Sequence, residues 1–468
     1  MKNYPMTIAG KPAMSEQCQA VINPATGKPF AQCPIASPQQ VSQAVAAARA
    51  AFPAWAATPD AERANTLCTL ADIIEENAGE LSRLLTQEQG KPIKGKGSEF
   101  ELGGCVGWTR ATAGMQLPPK IIEDNEERAV ELSRKPVGVV ASITPWNWPL
   151  LIAIWHMMPA LRLGCTVVVK PASTTPLTTL RLVELLNQAL PPGVLNIVCG
   201  RAGYALSASP GVDKVVFTGS SDVGAGVMAA AAPSLKRLTL ELGGNDAGIV
   251  LSDANPQEIA ESLFWGAFIN AGQTCGALKR LYVHDSIYEA VCEALATLAR
   301  IAPMGDGMDE SNLFGPVQNR AQLDYVAELV EDARQHGATV LCGGEIADGP
   351  GYFYPLTIVA DISDGVRLVD EEQFGPALPV VRYSTIDEAI SRANASPFGL
   401  GGSVWSSDTE AAKAIATRLE CGTVWINKHG EVKPNIPFGG VKQSGIGTGF
   451  GLEGLKEFTT IQVINAAR

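Results

Sequence analysis

Between residues 137 and 240 short apolar runs alternate with helical patterns, and this alternation restricts the fold more than anything else in the chain. The runs fall at 137–143, 166–169, 194–198, 214–218 and 238–240, with helices expected over 150–163, 176–189 and 222–232. Strands apolar on both faces have no side to give to water, so helices must cover both, and a parallel sheet of the doubly wound kind does this. Such sheets bind ligands at the carboxyl ends of their strands. A second α/β series follows Cys275, with strands expected at 279–284, 338–342, 379–383, 402–405 and 422–426, so a second unit is expected to begin near residue 244. Upstream, residues 1–40 read as an extended arm with turns at Asn23-Pro24 and Thr26-Gly27. Helices follow over 41–57, 61–89 and 94–113, the last carrying Trp108 and Arg110. The polar run from Glu123 to Arg128 sits between more apolar flanks, and 117–136 is either a protruding hairpin or a surface loop.

A chain of 468 residues is too long for one hydrophobic core. Its ten cysteines form no C-x-x-C pair, which speaks against a zinc site and a disulfide framework and fits a reducing cytoplasm. The N-terminus lacks the apolar run of a signal peptide, and the most hydrophobic segment, 149–164, is interrupted by His156, Pro159 and Arg162, so neither export nor a membrane span is expected. A net charge of -12 without a basic stripe argues against nucleic acid as a partner.

Several stretches carry chemistry-bearing residues. The only G-x-G-x-x-G, Gly449 to Gly454, follows no strand and is rejected as a phosphate loop. Thr218-Gly219-Ser220 ends a strand, with Gly224 in the helix after it, and is either a pyrophosphate site or an ordinary turn. Asn147 and Lys170 emerge at two other strand ends. The Asn147 amide can donate to a developing oxyanion and Lys170 can reach cofactor hydroxyls or phosphate, the alternatives being a turn residue and a solvated cation. Glu241 ends an apolar strand, where burial would raise its pKa toward that of a general base unless an ion pair holds it down. Cys275, in a small-residue turn, is either a nucleophile or an inert buried thiol. None of the four histidines shows a local cysteine–histidine signature, so Glu241 is the more economical base for it.

Seven motifs then stand in one order: Pro-Trp-Asn147-Trp-Pro, Val-Val-Lys170-Pro, Phe-Thr-Gly-Ser220, Glu241-Leu-Gly-Gly, Gly-Gln-Thr-Cys275, Glu371-Glu-Gln-Phe-Gly-Pro376, and Pro437-Phe-Gly-Gly-Val-Lys-Gln-Ser-Gly445. In order and spacing the chain resembles the aldehyde dehydrogenase superfamily over nearly its whole length. The resemblance implies two doubly wound Rossmann-like α/β domains with a small β oligomerisation arm. It assigns 1–116 and 137–243 to an NAD(P)-binding domain, 244–455 to a catalytic domain, and 117–136 with 456–468 to a hairpin and C-terminal strand that build a homodimer or homotetramer. It also implies that Cys275 attacks a small-molecule aldehyde, that Asn147 and the Cys275 N–H hold the oxyanion, and that Glu241 activates water to hydrolyse the thioester. Thr144, Trp146, Lys170, Ser173, Thr218, Gly219, Ser220, Leu242, Glu372 and Phe374 are the implied cofactor contacts. Trp146 and Lys170 fall on the adenosine side, Ser220 at the pyrophosphate, Glu372 at the nicotinamide ribose and Phe374 beside the ring. Trp148, Trp155, Thr274 and Phe438 match the substrate tunnel, whose aromatics favour an apolar or aromatic aldehyde unless they are simply core.

The sequence departs from the family pattern in three places. NAD-selective members often carry glutamate three residues after the lysine, and Ser173 stands there, so NAD use with NADP tolerance, or NADP use outright, is expected. His156 replaces a frequent lysine, and Thr448-Gly449 replaces an arginine–glutamate pair, so any proton relay must differ; His156 either passes a proton near neutral pH or packs on its helix. Lys433 beside the 425–430 loop, with Arg110, can bind the carboxylate of a semialdehyde, or these are solvated charges. Transfer of the acyl group to coenzyme A is the rival enzymatic outcome, against which Glu241 argues, and a non-catalytic binding protein on the same fold is the third reading.

Overall fold

The structure, a computed structural model, describes residues 2–468, so that Met1, the tip of the expected arm, lies outside it. Two sheets organise the chain. The first has eight strands in the spatial order Gly445–Ile446, Arg237–Glu241, Lys214–Thr218, Val139–Ile143, Thr166–Lys170, Leu195–Ile197, Met6–Ile8 and Lys11–Ala13. Its five central strands are parallel. The others add antiparallel at the two sides. Strands Val139–Ile143 and Lys214–Thr218 are buried at every position, as their two-sided apolar pattern requires. From Val139–Ile143 the chain first winds to Thr166–Lys170 and Leu195–Ile197, then returns to place Lys214–Thr218 on the other flank. Strand order therefore reverses beside Val139–Ile143, and the crevice beyond its carboxyl end is where such a sheet accepts a ligand. Residues 144–148 continue from that end.

The second sheet has seven strands in the order Thr339–Cys342, Thr357–Ile362, Ala377–Tyr383, Leu278–His284, Asp246–Val250, Gly401–Trp405 and Thr423–Ile426, all parallel except the first. Two of them escape the sequence pattern. Asp246–Val250 begins with a carboxylate and contains Gly248, where a side chain would strike Leu278 Cδ1 at 2.7 Å, so close packing rather than an apolar run defines it. Thr357–Ile362 is disturbed by a bulge at Asp361, whose φ is 52°.

The expected helix over 61–89 is two, Asp60–Glu76 and Ala78–Gln89. Asn77 breaks it, its side-chain amide donating to the Ile73 carbonyl at 2.8 Å in place of a continuing turn. The amino-terminal arm is more structured than an extended segment: besides its two strands in the first sheet, Cys18–Asn23 and Lys28–Pro34 form a hairpin. Residues 117–136 do form a hairpin, Lys120–Asp124 with Arg128–Pro136, and Thr459–Ala467 pairs along the latter from Pro136 to Arg128. No helix among the described residues is long and apolar enough to cross a membrane.

Candidate active site

Cys275 lies just beyond the helix Pro256–Phe268, after a tight turn at Ile269–Gly272. Asn270, Ala271 and Gly272 all adopt left-handed backbone, with φ of 52°, 53° and 73°. A Cβ at Gly272 would lie 2.2 Å from the Gly375 carbonyl oxygen, so only glycine fits. Hydrogen bonds lock this turn onto the Trp146-Asn147-Trp148 segment. Asn270 Nδ2 donates to the Asn147 carbonyl at 2.9 Å, and Asn147 Nδ2 donates to the Gln273 carbonyl at 2.9 Å. An amide carries two N–H groups, so Asn147 keeps one donor for a second acceptor. The buried Lys91 ammonium pairs with buried Glu101, donates to the Asn147 carbonyl at 2.9 Å, and stands 3.6 Å above the Trp148 ring. Glu101 in turn accepts from the Leu150 and Leu151 N–H groups at 2.9 and 3.0 Å, at the start of the helix Pro149–Arg162. Neither Lys91 nor Glu101 carries a motif, and the sequence reading misses both.

Burial pushes the Cys275 thiol up to about 12, Lys279 pulling it down and Glu241 pushing it further up. It therefore rests protonated, and a base has to take its proton before it can attack a carbonyl. Glu241, buried at the end of its strand, is raised to about 7 by desolvation, against a hydrogen bond from Thr218 that lowers it. A carboxyl with that pKa exists in both forms near neutral pH. Gly445 pairs with Glu241 across the sheet edge and carries the 437–450 loop over it. His156, far from titrating near neutral pH, is buried and held down to about 3 by desolvation, with the Lys214 charge adding to the effect.

The crevice fits a dinucleotide. Thr144 Oγ1 is buried without a partner, and no carboxylate pairs with Lys170 among the described residues. Ser220 caps the helix Ser221–Ala231, while a Cβ at Gly219 would meet the Phe217 ring at 2.4 Å and one at Gly224 would meet Leu242 Cδ2 at 2.5 Å. Glu372 Oε1 accepts from the Gly244 N–H at 3.2 Å and pairs with Lys279 at 3.0 Å, and Lys279 also donates to the Cys275 carbonyl. The thiol loop and the expected ribose ligand thus share one cation, which the sequence reading also misses. Ser173 lies on the loop after Lys170 and its carbonyl accepts from Gln19 Nε2 at 2.6 Å. Trp146, expected on the adenosine side, packs edge-to-face with Phe374, ring centroids 5.3 Å apart. Thr218, an expected cofactor contact, has its Oγ1 3.0 Å from His156 Nε2 and stands beside Glu241 on the neighbouring strand.

Trp108, Trp155, Phe438 and Phe450 make one aromatic cluster. Trp155 lies 4.5 Å from Phe450 and 5.5 Å from Trp108, and Phe438 stacks on Phe450 at 6.0 Å. Cys275, Phe438 and Phe450 pack in one apolar group with Leu400 and Trp425. Phe450 sits inside the G-x-G-x-x-G stretch with φ 61°, and only the rejection of that stretch as a phosphate loop pointed toward another use. Trp148 is not in this cluster: it is buried, its indole N–H donates to Thr274 Oγ1 at 2.9 Å, and it supports the thiol loop from behind. The cations expected at the mouth are already engaged in ion pairs. Arg110 pairs with Asp72 and Glu75 at 3.0 and 2.6 Å, and Lys428 and Lys433 both pair with Glu431, which they hold down at about 2.

A thiol, a buried carboxylate and a dinucleotide crevice at the switch point of a doubly wound sheet mark a nicotinamide-dependent oxidoreductase acting on carbonyl compounds. Residues 11–464 match the aldehyde dehydrogenase family, and the chain belongs to it: it is an NAD(P)-dependent aldehyde dehydrogenase. It is 42% identical to phenylacetaldehyde dehydrogenase of Pseudomonas fluorescens, over 98% of this chain and 94% of that one. Aldehyde dehydrogenase of Bacillus cereus, solved as a complex with NAD+, superposes with a TM-score of 0.97 at 36% identity, covering 100% of this chain and 97% of its own. Betaine aldehyde dehydrogenase of Staphylococcus aureus, also with NAD+, gives 0.95 at 33% identity, covering 99% and 94%.

Proposed function

We propose that this enzyme oxidises an apolar or aromatic aldehyde to its carboxylic acid through a thioester on Cys275. Glu241 takes the Cys275 proton, directly or through water, and the thiolate adds to the aldehyde carbon. The free N–H of Asn147 and the backbone N–H of Cys275 hold the oxyanion of the thiohemiacetal. Thr144, Lys170, Ser220, Leu242, Glu372 and Phe374 would hold the nicotinamide cofactor, which would supply the hydride acceptor. Glu241 passes the proton it took from Cys275 to solvent and, ionised again, draws one from water as the water attacks the thioester, then returns it to the departing Cys275 thiolate as the acid is released. The intact carboxylate favours hydrolysis over transfer to coenzyme A, and the intact set Asn147, Glu241 and Cys275 opposes a non-catalytic role.

The observation that carries the substrate class is the aromatic cluster of Trp108, Trp155, Phe438 and Phe450 packed with Cys275 behind a mouth whose lysines are already paired. An aryl ring offset-stacked or edge-on against such walls gains about 0.5–1.5 kcal/mol beyond its burial, whereas a carboxylate finds no unpaired cation there. The relative that acts on phenylacetaldehyde supports the same choice. The first sheet with residues 1–116 and 137–243 would form the cofactor domain and 244–455 the catalytic domain. The missing carboxylate at Ser173 supports acceptance of NADP beside NAD. The three-stranded arm supports a homodimer or homotetramer.

Initial rates of NADH and NADPH formation over aliphatic, aromatic and carboxylate-bearing aldehydes test the reading. Phenylacetaldehyde should exceed succinic semialdehyde in kcat/KM by at least about tenfold, roughly 1.4 kcal/mol, and Cys275→Ala should abolish turnover. Preference for the semialdehyde would overturn the substrate class, and turnover surviving in Cys275→Ala would overturn the mechanism.

A further inference from the structure

Behind Glu241 a file of polar side chains runs into the first sheet. Thr218 stands directly beside Glu241 across two parallel strands, where its hydroxyl lowers the carboxyl pKa, and its Oγ1 lies 3.0 Å from His156 Nε2, while His156 Nδ1 lies 3.0 Å from Ser142 Oγ. Ser142, Thr218 and Glu241 stand on three adjacent parallel strands, and His156 reaches them from the helix Pro149–Arg162. All four side chains are buried, so each hydrogen must be accounted for.

The direction of the file follows from that count. An ionised Glu241 can only accept, so its bond with Thr218 uses the hydroxyl hydrogen. Thr218 Oγ1 has then spent its one hydrogen and must accept from His156, which places the imidazole proton on Nε2. The neutral ring is left with a bare Nδ1, and Ser142 donates to it. No further polar partner follows Ser142 among the described residues, so the file orients Thr218 and does not drain protons. The charged groups around it agree. Lys214, on the strand of Thr218 and paired with Glu457 at 3.4 Å, disfavours a charged imidazole, and the Cys275 thiol, on the turn before the strand Leu278–His284, is near enough for the Glu241 charge to act on it. Room for the carboxyl comes from Gly449, where a Cβ would lie 2.5 Å from Glu241 Oε1.

Resting on the assignment of Glu241 as the base, we infer that His156 is a positioning residue for it: by donating from Nε2 it turns the Thr218 hydroxyl onto the carboxylate and favours the ionised, base-competent form. Burial raises the Glu241 pKa and the file opposes that rise. Removing His156 should therefore move the pKa upward, and the acidic limb of deacylation should move with it.

Hydrolysis of p-nitrophenyl acetate, which acylates the thiol without cofactor, gives deacylation as the steady phase after the burst. In His156→Leu the midpoint of the acidic limb should rise by about half to one pH unit, the size of one neutral hydrogen bond, and in Thr218→Val by about one to two, the size of a hydrogen bond to a charged group. His156→Gln, whose amide nitrogen can donate where Nε2 stood, should restore the wild-type midpoint. A midpoint unchanged in both His156→Leu and Thr218→Val, with or without a uniform loss of rate, would overturn the positioning role, as would a His156→Gln profile equal to that of His156→Leu. Glu241→Gln separates the two assignments. If it retains the acidic limb, the base itself is misassigned; if it loses the limb while the His156 and Thr218 variants leave theirs in place, only the positioning role falls.

Discussion

At Ser173 the backbone is fixed independently of the side chain, because Gln19 Nε2 donates to its carbonyl at 2.6 Å. A substitution there changes charge on the loop after Lys170 without redirecting the loop. Ser173→Glu should therefore act on cofactor choice alone. A carboxylate facing a 2'-phosphate in a partly dry site is repelled, and the ratio of kcat/KM for NADP to that for NAD should fall at least about tenfold, roughly 1.4 kcal/mol. An unchanged ratio would remove Ser173 from the recognition of the ribose. This residue, like Asn147, Glu241 and Cys275, is legible in the sequence because it belongs to a motif with fixed spacing. The direction in which a side chain points is not. Trp148 and Thr218 occupy motif positions, yet the first supports the thiol loop from behind and the second faces His156. Both outcomes depend on partners 126 and 62 residues away, which local spacing does not encode.

At the scale of elements, the start of the helix Pro149–Arg162 and the turn before it hang on the buried Lys91–Glu101 pair, contributed by the segments around two other helices. Removing one partner of such a pair leaves the other charged and dry, at about 3–5 kcal/mol. Lys91→Met should lower the melting temperature and, because Asn147 loses a fixed carbonyl, reduce kcat more than it changes KM. The double variant Lys91→Met/Glu101→Leu should recover part of the stability and none of the kcat. Thermal unfolding beside steady-state kinetics separates the two, and full recovery of kcat would show that the pair does not position Asn147. Elements built from apolar runs, such as Val139–Ile143 and Lys214–Thr218, were readable because burial on both faces demands that composition. Asp246–Val250 was not, since its place at the centre of the second sheet rests on a buried carboxylate and a glycine pressed against Leu278. The aromatic cluster was half readable: Trp155 and Phe438 lie in or beside motifs, while Trp108 and Phe450 join them only through folding of distant segments.

Over the whole molecule the arm formed by Lys120–Asp124, Arg128–Pro136 and Thr459–Ala467 is the part whose surface least suits an isolated subunit. Ile121, Ile122, Ile461, Val463 and Ile464 are all more than half exposed on it, and Thr459–Ala467 is an edge strand of nine residues with one side unpaired. Long apolar edges of this kind invite pairing with another chain, and soluble proteins otherwise blunt them with charge or bulges. Ile461 and Val463 point to one face, since side chains alternate along a strand. Ile461→Glu/Val463→Glu places two like charges on that face without touching the pairing to Arg128–Pro136, which uses backbone groups. If the arm joins subunits, light scattering should give a smaller mass for this variant than for the parent protein at equal concentration. A mass unchanged by two carboxylates would place the subunit contact elsewhere. The Arg128–Pro136 strand also runs directly toward Val139–Ile143, and the Val137 N–H donates to the Phe458 carbonyl at 3.0 Å. Loss of the contact should therefore be felt at the sheet that carries Asn147, as a lower melting temperature together with a reduced kcat.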